Sequence, residues 1–232
     1  MHYHLDFDID FLRNPYKGRY IALEGIDGSG KTTQVEKLAS HFRSLGKEVV
    51  TTREPRKETG IVGKLIFEIL QAKKKVPSVA LQYLFTADRV MHYLEIIEPA
   101  LKEGKIVISD RCFWSAIPYG IMDRVMDSGE ETYDFSEGKI ILVAQSILSM
   151  YHQFIVPDYT FYLNVPVDTG LSRAGKKDAL QEIYETKEKL EKICKGYEWL
   201  VTQFSKEITV VDGDKEKESV FEKIVLSIKN KV

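Results

Sequence analysis

Residues 25–32 read Gly25-Ile26-Asp27-Gly28-Ser29-Gly30-Lys31-Thr32, which satisfies G-x-x-x-x-G-K-[ST] at every fixed position. Glycines at these spacings let backbone N–H groups converge on a phosphate with no side chain in the way. Lys31 is placed to reach the terminal phosphates of a nucleoside triphosphate, and the Thr32 hydroxyl to ligate a bridging Mg²⁺. The flanks fit this chemistry. Tyr20–Glu24 is a short apolar run that reads as a buried strand. After the loop, Val35, Leu38, Ala39 and Phe42 recur at helical spacing, so a helix N-terminus adds unsatisfied donors and partial positive charge. Gly25 to Thr33 is the predicted nucleotide site.

The elements that must hold this loop alternate along the chain. Strands are predicted at Tyr20–Glu24, Glu48–Thr52, Ile106–Ser109, Thr160–Val165 and Ile208–Val211, apolar and β-branched as in a sheet covered on both faces. Helices are predicted at Ile61–Leu70, at Val79–Ile97 with Pro99 interrupting, at Lys139–Gln153, at Ile183–Phe204 and at Val220–Ile228. This order predicts an α/β fold, a doubly wound five-stranded parallel sheet with its ligand at the carboxyl ends of the strands. Met122–Gly138, rich in charge and turn residues, reads as a surface excursion.

Composition narrows the partners. The 232 residues carry 33 Lys and Arg against 35 Asp and Glu, a formal charge of −2. No global field attracts nucleic acid or an anionic membrane, so a small anionic substrate must meet a local basic cluster. The length fits one domain. Cys112 and Cys194 lie far apart without metal-ligand spacing and read as reduced thiols in a cytoplasmic protein. No apolar run is long enough to cross a membrane, and Met1–Phe11 lacks the basic start and continuous apolar core of a signal peptide. That segment instead alternates Tyr3, Leu5, Phe7, Ile9 and Phe11 with His and Asp, which predicts an extra N-terminal strand with a solvated polar face.

Further motifs follow the loop in order: Arg53-Glu54-Pro55 at the end of the second strand, Phe85-Thr86-Ala87-Asp88-Arg89 on a helix, Asp110-Arg111 at the end of the third strand, Ser115 and Tyr119 shortly after, and Pro157-Asp158 before the fourth. With Glu24-Gly25 they resemble the thymidylate kinase family, a branch of the P-loop nucleoside monophosphate kinases. The resemblance runs from about residue 19 to 232 and leaves residues 1–18 as an N-terminal extension. It implies transfer of phosphate from ATP, with Mg²⁺, to dTMP, and a homodimer. It further implies that Arg53 and Arg111 grip the acceptor phosphate, with Glu54 beside them, and that Phe85 stacks on thymine while Arg89 donates to a thymine carbonyl. Tyr119 would pack on the sugar, Ser115 would contact the nucleotide or its support, Asp110 would hold Mg²⁺ through water, and Asp27 would lie near the 3′-hydroxyl and the incoming phosphate. A lid at about 173–184 would bring Arg173, Lys176 and Lys177 to the ATP phosphates.

The chemistry agrees with these residue types. A phosphate monoester has a second pKa of about 6 and is largely dianionic at pH 7. It needs no general base; it needs positioning and positive charge. Guanidinium forks at strand ends supply both. The sequence departs from the family pattern at Ser29, where some relatives carry Arg, at Cys112 in place of an aromatic, at Gly120 in place of Gln or Thr, and in the length of Met122–Gly138. Two other functions stay open at this point. A kinase for another deoxynucleotide or a deoxynucleoside would use Glu54 as base for a neutral hydroxyl. A non-catalytic nucleotide-binding module would keep the loop alone.

Overall fold

Five strands form one parallel sheet in the order β2-β3-β1-β4-β5: β1 Arg19–Glu24, β2 Val49–Arg53, β3 Ile106–Asp110, β4 Tyr159–Asn164 and β5 Ile208–Asp212. The computed structural model describes residues 10–128, 144–175, 183, 184 and 186–229. Each of the five strands predicted for the sheet is present within a residue or so of its expected limits. In register, Leu23 of β1 pairs with Asp110 of β3 and Arg53 of β2 pairs with Asp110 as well, so three carboxyl ends finish side by side.

Alternation along the strands sorts the core into two layers. Ile21, Leu23, Ile108, Phe161 and Leu163 face helices α1 (Lys31–Ser44) and α8 (Lys217–Lys229). Tyr20, Ala22, Val107 and Tyr162 face the larger layer, which contains α2 (Ile61–Leu70), α3 (Ser78–His92), α5 (Ala116–Ser128) and α7 (Lys187–Gln203). Two further helices are α4 (Glu98–Lys102) and α6 (Val167–Ala174).

Two expectations change. Pro99 does not end its helix: α3 runs into a π-turn at Tyr93–Ile97 and then into α4, with Pro99 in the first turn. Proline lacks the donor that would continue an α ladder, and the wider turn just before it takes up the ring. The stretch 116–128 is helical as α5, so the first part of the predicted excursion is regular structure. Residues 129–138 of that excursion, and 139–143 of the helix predicted beyond it, lie outside the described residues; 144–148 are helical. Most of the predicted N-terminal strand also lies outside them. Its end is held: Leu12 bridges Ile155 in parallel, Phe11 packs on Phe113, Trp114 and Phe204, and Arg13 makes two 2.6 Å bonds to Glu207.

Candidate active site

The glycine loop leaves β1 and enters α1 as predicted. Gly28 has φ +78°, and a Cβ there would lie 2.0 Å from the Gly170 carbonyl oxygen. Only glycine fits a left-handed backbone pressed this closely against α6. Lys31 Nζ donates back to the carbonyls of Gly25 at 3.1 Å and Ile26 at 2.9 Å. Burial pulls the Lys31 pKa down, and neighbouring Arg111 adds to this, against Asp110 and Asp27. Thr32 Oγ1 donates to Asp110 Oδ2 at 2.7 Å. The two residues assigned to Mg²⁺ therefore share one corner, although they come from α1 and β3.

Beside the loop opens a cleft. Asp27, Arg53, Glu54, Phe85, Arg89, Arg111, Ser115 and Tyr119, all chosen from the sequence, line it together. Arg111 is in the left-handed region, at φ +74°, a strained conformation for a non-glycine residue. Its amide donates to the Leu23 carbonyl at 2.8 Å, which fixes the turn. Its Nη2 donates to Asp27 Oδ1 at 2.9 Å, Nη1 to Ser115 Oγ at 3.3 Å, and its guanidinium lies 5.0 Å from the centre of the Tyr119 ring. Desolvation beside the loop would raise the Asp27 pKa; Arg111 and Lys31 more than reverse that and hold it well below the usual carboxylate range. Arg53 is exposed at the end of β2, on the same rim.

At the far end Phe85 and Arg89, one helical turn apart, share a face of α3, with the guanidinium 5.5 Å from the Phe85 ring centre. Arg89 donates Nε to Glu54 at 2.6 Å and Nη1 to the Tyr151 hydroxyl at 2.9 Å. The other Glu54 oxygen lies 3.1 Å from His92 Nδ1. Burial would raise the Glu54 pKa, but Arg89 and His92 hold it below the ordinary value. A carboxylate so occupied is poorly suited to take a proton from a hydroxyl, which weighs against the deoxynucleoside alternative.

Arg173 ends α6 and donates to the Gly213 carbonyl at 3.0 Å and to Asp214 at 3.4 Å, tying α6 to the loop after β5. Lys176, Lys177 and most of the predicted lid lie outside the described residues. Cys112, where an aromatic was expected, does not leave a gap: its amide and thiol both donate to Glu24, and Phe113 and Trp114 fill the core behind it.

Four positions carry roles that the sequence reading did not assign. Buried Glu24 gathers the Cys112 amide, the Ser115 hydroxyl and the Tyr197 hydroxyl, at 2.8 Å for the last, and so anchors the turn that carries Arg111. Glu24 stood in plain view in the Glu24-Gly25 motif; Tyr197 looked like one more residue of an apolar helical stripe. Asp88 accepts the Arg56 amide at 2.9 Å and faces its guanidinium at 3.3 Å, holding the Arg53–Arg56 corner. Lys57 adds a further cation to the cleft wall.

Comparison with known proteins agrees with this geometry. The family model described as thymidylate kinase matches residues 23–224. A thymidylate kinase of Wolbachia pipientis is 36% identical over 219 residues, covering 91% of this chain and 96% of that protein. A probable thymidylate kinase of Pyrococcus horikoshii is 33% identical, covering 93% and 98%. The solved structure of thymidylate kinase from Candida albicans superposes with a TM-score of 0.76 over 92% of both chains at 22% identity, which speaks for the fold. A glycine loop, an arginine at the end of β3 and an aromatic–arginine pair on α3 thus meet in one cleft on a chain that matches its relatives almost end to end, and the chain belongs to the thymidylate kinase family.

Proposed function

We propose that this chain phosphorylates dTMP to dTDP at the expense of ATP, with the acceptor in the cleft between Arg111 and Arg89. The observation that carries this is the placement of cations at one end of the cleft and an aromatic ring with a guanidinium at the other, with the glycine loop alongside. Arg111 and Arg53 bind and orient the acceptor phosphate, and Asp27 fixes Arg111. Phe85 offers its face to the base, and Arg89 keeps Nη2 without a partner among the described residues to donate to a base carbonyl. Lys31 moves from the loop carbonyls to the ATP phosphates. Thr32 and Asp110 fit Mg²⁺, which takes one or two protein oxygens beside substrate phosphates. The ion would neutralise charge on the transferring group. Ser29 brings no cation to that group, so Arg173, Lys176 and Lys177 are assigned to supply it. We also infer a homodimer, supported by exposed Val79, Tyr83 and Leu94 along one helical rod. We infer a cytoplasmic location from the family match; among the described residues no helix is long and apolar enough to cross a membrane.

A coupled ADP-release assay with dTMP, ATP and Mg²⁺ tests the assignment. Wild type turns over, and Lys31→Ala, folded by circular dichroism, does not. Near wild-type turnover in that variant contradicts it.

A further inference from the structure

We propose that Gln82 reads the acceptor base: Asp123 holds its side-chain amide so that the carbonyl oxygen accepts the N3–H of thymine. Gln82, Phe85 and Arg89 stand at i, i+3 and i+7 on α3, and all three line the cleft. Gln82 Nε2 donates to Asp123 Oδ2 at 2.8 Å, and the Tyr184 hydroxyl donates to the same oxygen at 3.1 Å. Asp123 Oδ2 accepts from both donors. The amide nitrogen must therefore face Asp123 and the amide oxygen must face away, which removes the usual freedom of a glutamine to flip. Among the described residues no donor pairs with Gln82 Oε1, and it is not sealed from solvent. A hydrogen bond to a carboxylate also polarises the amide and strengthens its oxygen as an acceptor.

The neighbours make room for this arrangement. A Cβ on Gly120 would lie 3.6 Å from Gln82 Cδ and 2.4 Å from Ile147 Cδ1. Gly120 thus lets α5 lie close against Ile147 and within van der Waals reach of Gln82. Tyr184 packs edge-on against Tyr119 at 5.2 Å, so the base reader and the sugar-facing ring are braced together. Thymine and uracil present an N3–H donor beside an O4 acceptor; cytosine presents an N3 lone pair beside an amino donor. Gln82 Oε1 and Arg89 Nη2 match the first pattern and oppose the second. The 5-methyl group plays no part in this contact.

This inference rests on the dTMP assignment, and the test separates the two. The kcat/KM for dTMP, dUMP and dCMP is measured for wild type, Gln82→Met and Asp123→Asn, with thermal melts and with calorimetric binding of dTMP and dCMP without ATP. In each variant the dTMP/dCMP preference falls by roughly tenfold or more, as expected when one buried polar contact is lost. For Asp123→Asn the reason is that the new amide also donates, so Gln82 can turn its own nitrogen to the cleft. The dTMP/dUMP ratio and the KM for ATP stay within twofold, which a general loosening of the fold would not produce. A folded variant of either kind that keeps the wild-type dTMP/dCMP ratio within twofold overturns the assignment of Gln82. A wild type inactive on dTMP refutes the functional assignment beneath it, and this one with it.

Discussion

Arg111 Nη2 donates to Asp27 Oδ1 at 2.9 Å, and this bond, with that from Thr32 to Asp110, ties the end of β3 to the glycine loop. Donor and acceptor sites are therefore not independent. The cation proposed to meet the acceptor phosphate is aimed by a carboxylate inside the nucleotide loop, and Ser115 and Tyr197 brace it through Glu24. Replacing Arg111 with Ala is expected to lower kcat/KM for dTMP by roughly 10³-fold, the range found for arginines that stabilise phosphoryl-transfer charge. Steady-state kinetics of the folded variant decide this. A loss under about tenfold makes Arg111 a structural ion pair.

The close contact between Gly28 and Gly170 makes a residue outside the loop part of the nucleotide site. A Cβ on Gly170 would lie 2.7 Å from Ile26 Cδ1 and 2.9 Å from the Asp27 carbonyl. Ile26 can shift its methyl; the loop carbonyl must move bodily. Gly170→Ala is expected to cut kcat/KM for ATP on the order of 10²-fold through this displacement, with the melting temperature little changed. Unaltered ATP kinetics would show that α6 yields and the loop does not.

Glu54 carries a pH dependence. Its folded pKa is held below the ordinary 4.5 by Arg89 and His92, so the unfolded chain takes up this proton first as pH falls. The stabilisation is complete above the unfolded value and is lost as pH drops through the folded one. Removing one partner of a buried pair costs about 3 kcal/mol. Glu54→Gln is therefore expected to be less stable by about 3 kcal/mol at pH 7 and to lose stability less steeply below the carboxylate range. Urea unfolding at several pH values measures both; parallel pH profiles for the two proteins would contradict the pairing.

The N-terminal arm is expected to act on stability and not on substrate. Phe11 sits at 5.4 Å from Trp114, 5.9 Å from Phe204 and 6.3 Å from Phe113. Phe11→Ala is expected to cost about 2 kcal/mol, with KM for dTMP unchanged. A change in KM without a change in stability would mean that the arm shapes the cleft directly.

What the sequence displayed was what local pattern can display. Residues 25–32 announce their chemistry because that chemistry needs fixed types at fixed short spacings. The strands show because both their faces are buried, so their runs are apolar. Tyr197 could not be told from a core tyrosine, since its role depends on Glu24, 173 residues away. Gly170 has the same limitation: its partner Gly28 is met only after β4 returns beside β1. Pro99 misled because a proline reports a lost donor but not the π-turn that absorbs it. Gln82 shares a face of α3 with Phe85 and Arg89, yet only Asp123, on α5, shows which way its amide points.

The central claim is that the acceptor is a phosphate monoester of thymidine, held by arginines without a general base. The most direct test is the ratio of kcat/KM for dTMP to that for thymidine, with ATP and Mg²⁺, products identified by chromatography. dTDP and ADP are expected in equal amounts from dTMP, with a ratio of at least about 10³, since thymidine leaves Arg111 without the phosphate it is proposed to meet. A ratio below one, with dTMP formed from thymidine, would contradict it and return Glu54 to the role of base.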